Sequence, residues 1–131
     1  MITEDYVSFE IAKLLKEKGF DEATYHDYDT NGLLWFNEVL AQYNQQGTGF
    51  ACPTLQMVMK WLREVHNIYL DIRITNHGMS DMVDIIKYYW VALSTEDAKW
   101  IAESTVRNVD CFKTYNEAIE DGIKYCLENL I

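Results

Sequence analysis

The feature that most constrains the fold of this chain is a change of periodicity at Asn67. Before Asn67, apolar residues recur every three or four positions, at Leu55, Val58, Met59, Leu62 and Val65. After it, residues 68–75 alternate strictly between apolar and polar side chains. The first spacing is typical of one helix face, and the second is typical of a strand with one buried face. Pro53 and Thr54 favour a helix start, and Asn67 favours a left-handed helix stop. The segment therefore predicts a helix followed directly by a strand.

The N-terminal segment predicts another helix, over residues 4–18. Thr3 is a favourable N-cap residue, and two acidic residues follow it in the first turn. Gly19 followed by Phe20 indicates a glycine stop, with the phenylalanine folded back onto the last turn. The apolar face consists of Val7, Ile11, Leu14 and Leu15.

Residues 23–36 contain Asp29, Thr30, Asn31 and Gly32 between two aromatic runs. Asn-Gly is a strong short-range signal for a hairpin, so this segment predicts strand, turn, strand.

The same segment also matches the calcium-loop pattern of an EF-hand. Asp27, Asp29, Asn31 and Glu38 stand at ligand positions one, three, five and twelve, and Gly32 stands at position six. A calcium loop needs an entering helix, however, and the glycine stop precedes Asp27 by eight residues. Aspartate and asparagine beside glycine are equally what a turn requires. We therefore expect the turn, and we keep these four residues as candidate metal ligands.

The C-terminal half predicts two further strands and a helix. Residues 83–93 and 98–106 are strand segments separated by a turn at residues 94–97, although Ser94 and Asp97 could also begin a helix. Thr114 and Glu117 form a capping-box pattern before a final helix. Its apolar face consists of Ile119, Ile123, Cys126, Leu127 and Leu130. The predicted order is α-β-β-α-β-β-β-α, an α+β fold in which a mostly antiparallel sheet packs on three helices. The length of 131 residues fits a single compact domain, residues 1–131.

The charge distribution constrains the class of partner. The net charge is −10, and the acidic residues lie mainly in residues 1–38 and 80–131. Such a chain repels phosphate backbones, so we expect no nucleic-acid partner. No apolar run is long enough to span a membrane, no signal peptide is evident, and three cysteines make an odd count. We therefore expect a cytoplasmic protein with reduced thiols, no membrane partner and no cofactor.

Few residues are candidates for catalysis. His26, His66 and His77 have no metal-type spacing with one another or with a cysteine. A cationic His66 at a helix end would interact favourably with the helix dipole. Cys52 precedes Pro53 near a helix start, which could lower its pKa, and it is the one thiol worth testing as a nucleophile. Cys126 lies on an apolar helix face and is expected in the core. No catalytic constellation follows, so we lean against an enzyme.

Three segments of the chain carry a family resemblance. They are residues 1–22 (MITEDYVSFEIAKLLKEKGFDE), 53–66 (PTLQMVMKWLREVH) and 118–131 (AIEDGIKYCLENLI). These segments, about 50 of the 131 residues, resemble a group of uncharacterised small proteins from gut Bacteroidales, their prophages and mobile elements. The resemblance implies a phage or mobile-element setting and no particular activity.

A second likeness is topological. Residues 53–131 have the predicted order α-β-β-β-α, which is similar to the double-stranded-RNA-binding fold and to antitoxins of the HicB type. RNA-binding versions carry lysines at the last helix. Here that helix carries only Lys124, so the likeness does not imply RNA binding.

The aromatic content points to a function in binding. Nine tyrosines and four tryptophans are typical of interfaces as well as of half-buried positions. The first hypothesis is a non-enzymatic protein-interaction domain whose partner is another protein. We expect the chain itself to be a monomer or a homodimer. Mimicry of nucleic acid by its acidic surface is a variant of this hypothesis. The alternatives are a calcium-binding regulator acting through residues 27–38, and a small enzyme with a site assembled from distant segments.

Overall fold

A computed structural model of the protein describes residues 1–76, 86–104 and 111–131. These residues form three helices: α1 (Phe9–Glu17), α2 (Leu55–His66) and α3 (Tyr115–Asn129). The strands are β1 (Thr24–Tyr28), β2 (Leu34–Ala41), β3 (Phe50–Ala51), β4 (Ile68–Asn76), β5 (Ile86–Ser94) and β6 (Trp100–Glu103). A short 3₁₀ helix covers Tyr43–Gln45. The α+β class and the predicted element order are confirmed, with the two-residue β3 as an addition.

The strands form two antiparallel sheets of three strands each, ordered β2-β1-β3 and β4-β5-β6. The chain also divides into two compact units. The first unit comprises Met1–Val58 and Cys126–Ile131 and contains the β2-β1-β3 sheet. The second comprises Met59–Tyr125 and contains the β4-β5-β6 sheet. No helix in residues 1–76, 86–104 or 111–131 has the length and apolar character needed to cross a membrane.

In the first unit, the predicted start of α1 is wrong by five residues. The helix begins at Phe9, and the hydroxyl of its N-cap Ser8 accepts a hydrogen bond from Ile11 N at 3.3 Å. Residues 5–7 are instead paired with the chain that enters α2. Val7 N donates to Pro53 O at 3.1 Å, and Leu55 N donates to Asp5 O at 2.9 Å. These long-range bonds outweigh the local N-cap preference of Thr3.

The predicted end of α1 is confirmed. Gly19 has φ +88°, a left-handed conformation that glycine adopts without strain. Gly19 N donates to Lys16 O at 3.2 Å, and Phe20 N donates to Leu15 O at 2.9 Å. This is a Schellman motif, and it folds the buried Phe20 back onto the last turn.

In the second unit, the predicted junction at Asn67 is confirmed. Asn67 has φ +57°, and β4 begins at the next residue and pairs with β5 along its whole length. Ile68 and Leu70 are buried, but Ile74 is exposed, so among the described residues the covered face of β4 is confined to its first half. Val65 of α2 is also exposed, contrary to its predicted place in the apolar stripe.

Helix α3 lies against the β4-β5-β6 sheet of the second unit. The Thr114 half of the predicted capping box is confirmed, because Glu117 N donates to the Thr114 hydroxyl at 3.1 Å. The indole of Trp90 on β5 donates to Asp121 Oδ2 at 2.8 Å. A Cβ atom at Gly122 would lie 2.8 Å from Leu70 Cδ1 and 3.0 Å from Trp90 Cγ, so any larger residue would force these side chains to shift.

The turn between β5 and β6 and the strand that follows it were both predicted from the sequence. Residues 95–97 form the predicted turn, and β6 confirms a strand after it rather than a helix. The predicted start of one strand segment at Val83 and the predicted end of the other at Val106 lie outside the described residues. His77 does as well.

Candidate functional site

The hairpin formed by β1 and β2 contains every residue that the sequence marked as a metal ligand. Asp29 N donates to Leu33 O at 3.0 Å, and Gly32 N donates back to Asp29 O at 3.0 Å. Gly32 has φ +83°, as the last residue of a three-residue hairpin loop requires. The predicted turn at residues 29–32 is therefore confirmed.

The carboxylate of Asp29 is bound within this turn. Its Oδ1 accepts hydrogen bonds from Asn31 N at 2.8 Å and Leu33 N at 3.0 Å. Its Oδ2 accepts from the indole Nε1 of Trp35 at 3.1 Å. These hydrogen bonds lower the pKa of Asp29 below its ordinary value. The bond from Trp35 contributes most, and the bond from Leu33 is next.

The other candidate ligands lie along the strands. Asp27 pairs with Trp35 across the ladder, and its carboxylate accepts from Asn37 Nδ2 at 2.7 Å. Glu38 is exposed on β2, three residues beyond Trp35, a separation of roughly 10 Å along an extended strand. In the part of the chain that the structure describes, no three His, Cys, Asp or Glu side chains are grouped to hold a metal ion. The alternative of a calcium site at these four residues stays a prediction.

Strand β2 is the outer strand of its sheet, and among the described residues most of its apolar side chains are more than half exposed. We call residues 33–40 the β2 edge. Phe36 is 70% exposed and Trp35 is 53% exposed, and consecutive strand residues point to opposite faces. The exposed apolar side chains of the β2 edge are Leu33, Trp35, Phe36, Val39 and Leu40.

The backbone of the β2 edge is also available for pairing. Hydrogen-bonded and non-hydrogen-bonded pairs alternate along an antiparallel ladder, and Asp29 with Leu33 is a hydrogen-bonded pair. Leu34 and Phe36 therefore direct their N–H and C=O groups away from β1. Among the described strands, β1 is the only neighbour of β2.

The chain itself limits the length of this free edge. Val39 O accepts a hydrogen bond from the Tyr43 hydroxyl at 2.7 Å. The ladder between β1 and β2 is also irregular, since His26 pairs with Phe36 but Thr24 pairs with Ala41. The regular, unpaired part of β2 thus runs from Leu34 to about Phe36.

Exposed edge strands are usually protected against pairing by lysine, proline or a bulge. Strand β2 contains no lysine or proline, and Glu38 is its single charged residue. The irregular ladder protects only its second half. The first half of the β2 edge thus carries none of these protective features, and it belongs to a unit whose ten acidic and three basic residues give a net charge of −7.

The second unit also carries an exposed aromatic residue, Trp100 on β6. The guanidinium of Arg73 lies 5.2 Å from the centroid of the Trp100 ring and also bonds to Asp71 at 2.9 Å. A cation–π contact and an ion pair account for the placement of these side chains. We take the β2 edge as the candidate site because it combines five exposed apolar side chains with a strand edge that has no described neighbour on its outer side.

No protein-family model, curated protein or solved structure matches this chain.

The suggestion that a helix start could lower the pKa of Cys52 is wrong. Cys52 is 1% exposed, and its Sγ lies 3.7 Å from Val7 O. Burial is the main cause that raises the pKa of Cys52 to about 11, and the nearby charge of Asp27 adds to it. Cys126 is buried as predicted, and burial raises the pKa of its thiol to about 12. Both thiols are protonated near neutral pH and are poor nucleophiles.

The two described histidines lie in aromatic surroundings. His26 Nε2 is 3.1 Å from the Tyr6 hydroxyl, and the His26 ring meets Phe36 edge-on with centroids 4.6 Å apart. The His66 ring meets Trp61 in the same manner at 4.5 Å. Burial lowers the pKa of His66, which favours the neutral imidazole. The expectation of a cationic His66 at the helix end is therefore not supported by its surroundings.

The sequence did contain a signal for the β2 edge that a search for catalytic motifs misses. Apolar residues in this segment occupy both odd and even positions, as in a strand buried on both faces. The structure places the strand at the end of its sheet instead, so that both apolar faces remain exposed.

Proposed function

We propose that the chain is a non-enzymatic protein-interaction domain that binds an extended segment of a partner protein along the β2 edge. In this mode of recognition, backbone hydrogen bonds to a free strand edge supply affinity, and alternate side chains supply specificity. The observation that carries the proposal is the combination of a strand edge that no other described strand pairs with and exposed apolar side chains on both faces of β2.

Two side chains at the β2 edge are held in place before any partner arrives. The hydrogen bond to Asp29 orients the indole of Trp35, and the His26 ring supports Phe36 from the neighbouring strand. A binding residue that is already ordered loses less conformational entropy on association. Tryptophan is also enriched among the residues that dominate binding energies. These contacts favour a binding surface over an accidental exposure.

A binding role is better supported than the alternatives. The raised pKa values of Cys52 and Cys126 disfavour thiol chemistry. The Asp29 carboxylate is already used by the hairpin turn, so no observation favours the calcium-binding regulator. The resemblance in the three segments suggests that the partner is met in the setting of a phage or mobile element.

A peptide-display selection tests the proposal. Random peptides would be selected on the immobilised protein, and individual binders would then be measured by fluorescence anisotropy. We expect extended, β-prone peptides whose affinity falls by about tenfold or more for Phe36→Lys, which places a charge on the β2 edge.

Val65→Lys is the matched control, because Val65 is an exposed apolar residue on a helix and has no part in the β2 edge. Its binding should equal that of the wild type. Equal loss for both variants, or binders insensitive to Phe36→Lys, would contradict the proposal. Circular dichroism and thermal melts would establish that each variant is folded.

A further inference from the structure

We propose that a second copy of this chain occupies the β2 edge, so that two β2 strands pair antiparallel about a two-fold axis. This inference rests on the proposed function and names the partner of the same site. This pairing would join the β2-β1-β3 sheet of one copy to the same sheet of the other, giving one six-stranded sheet ordered β3-β1-β2-β2-β1-β3.

The outward backbone groups determine the register of such a pair. Hydrogen-bonded positions must face each other across an antiparallel ladder, and on the β2 edge these positions are Leu34 and Phe36. One register pairs Leu34 with Phe36 of the second copy and Phe36 with its Leu34. The two-fold axis then passes at Trp35, which faces its own counterpart in a non-hydrogen-bonded pair.

Other registers match the side chains less well. Pairing Phe36 with itself places the carboxylate of Glu38 opposite Leu34, and pairing Leu34 with itself places Phe36 opposite Gly32. A parallel, in-register pair would set Glu38 beside Glu38, and like charges side by side are unfavourable. The register at Trp35 leaves Glu38 opposite Gly32 and gives apolar pairs throughout its centre.

The side chains in this register complement one another on both faces. Non-hydrogen-bonded pairs bring opposite Cα atoms to about 4.5 Å, close enough for the two exposed Trp35 rings to contact each other. On the other face, the exposed Phe36 of each copy would pack against Leu34 of the other, which gives two symmetric apolar pairs. A two-fold symmetric interface needs a surface that is complementary to itself, and the β2 edge meets this requirement in this register.

The charge pattern favours a second copy at this place on an acidic chain. No charged residue occurs between Glu38 and Lys60. The β2 edge, with Glu38 as its one charge, is therefore where two chains of net charge −10 can approach without directly opposed carboxylates. The remaining repulsion between the copies acts at longer range, where salt screens it over about 8–10 Å.

The short free edge limits the strength of the pair. Because Val39 O is occupied by Tyr43, the ladder covers few residues, and the interface is smaller than the roughly 800 Å² per partner of a standard stable complex. We expect a reversible dimer with a Kd on the order of micromolar to tens of micromolar. Its affinity should rise with ionic strength, whereas binding of a basic peptide to this acidic chain would weaken.

Sedimentation equilibrium over a range of protein and salt concentrations tests the inference. We expect a monomer–dimer equilibrium that strengthens with salt, is weakened about tenfold or more by Phe36→Lys, and is unchanged by Val65→Lys. A monomer at every concentration up to about 1 mM, or a dimer that Phe36→Lys leaves intact, would overturn it.

Cross-linking tests the register independently of affinity. In a Cys111→Ser background, copper phenanthroline would oxidise a pair of introduced thiols to one disulfide. Trp35→Cys places the thiols opposite each other within disulfide reach, whereas Phe36→Cys places each thiol opposite Leu34. We expect disulfide dimers to form about tenfold faster for Trp35→Cys, and equal rates would overturn the register.

The two experiments separate this inference from the proposed function. If the chain is monomeric but β2-dependent peptides bind, the second copy is wrong and the interaction domain stands. If neither a dimer nor a β2-dependent peptide is found, both are wrong.

Discussion

The indole Nε1 of Trp35 donates a hydrogen bond to Asp29 Oδ2 at 3.1 Å, which joins the hairpin turn to the β2 edge. The same carboxylate accepts the backbone N–H groups of Asn31 and Leu33. One aspartate thus closes the turn and orients the exposed tryptophan at the centre of the proposed interface. The residue pattern that resembles a calcium loop has a structural explanation in this arrangement.

The first prediction concerns the pH dependence contributed by Asp29. Its pKa is lowered in the fold, chiefly by the bond from Trp35, so the ionised form stabilises the native state. This contribution is present above the ordinary pKa of 3.8 and is lost as the pH falls below 3.8 through the folded value. Urea unfolding should therefore show Asp29→Asn less stable than the wild type near neutral pH, with the difference shrinking in acid. A difference that grows below pH 3.8 would contradict this assignment.

The second prediction concerns the thiols. Burial raises the pKa of Cys52 to about 11 and that of Cys126 to about 12, so both should react slowly with a disulfide reagent at neutral pH. Cys111 is only partly buried and should be labelled first. Mass spectrometry of peptides from briefly labelled protein checks this order, with urea-unfolded protein as the control in which all three react. Rapid labelling of Cys52 in the folded state would show that it is accessible after all.

The third prediction concerns the close packing of α3 at Gly122. The added methyl of Gly122→Ala would lie 2.8 Å from Leu70 Cδ1 and 3.0 Å from Trp90 Cγ. Overpacking of this kind typically costs about 1–3 kcal/mol, which outweighs the better helix propensity of alanine. Denaturant unfolding of Gly122→Ala should show this loss. Glu128→Ala, an exposed position of the same helix, should change the free energy of unfolding by less than about 0.5 kcal/mol.

Features that depend on contacts between residues close in the sequence were predicted correctly, and features that depend on distant residues were not. Gly19, Asn67 and Thr114 act on bonds within a few residues, and their roles were confirmed. The start of α1 was missed because Asp5 and Val7 pair with Leu55 and Pro53, which are distant in the sequence. Local rules cannot anticipate such a contact.

The candidate site was missed for a related reason. The sequence predicts that β2 is a strand, but not which strand lies beside it, and burial depends on that neighbour. Cys52 illustrates the same limit. Its position before Pro53 suggests a helix N-terminus, but its backbone pairs with His26 on β1, and that pairing places it in the interior.

The fourth prediction concerns calcium. Asp29 is bound within the turn and Glu38 lies along β2, so we expect no calcium affinity tighter than about millimolar, the weak end of the range for such loops. Calorimetric titration of calcium into chelator-treated protein measures this directly, with Glu38→Gln as the control. A saturable micromolar site that disappears in Glu38→Gln would instead support the metal-binding regulator.

The central claim is that the β2 edge is a free strand edge at which another strand adds. Amide hydrogen exchange followed by NMR tests it residue by residue. The N–H groups of Leu34 and Phe36 should exchange rapidly in dilute protein, while the N–H of Trp35, which the ladder directs toward Asp27, should be protected throughout. On raising the protein concentration, or on adding a selected peptide, Leu34 and Phe36 should become protected while Trp35 changes little. If Leu34 and Phe36 are already protected in dilute protein, or stay unprotected when a partner is bound, strand addition at the β2 edge is contradicted.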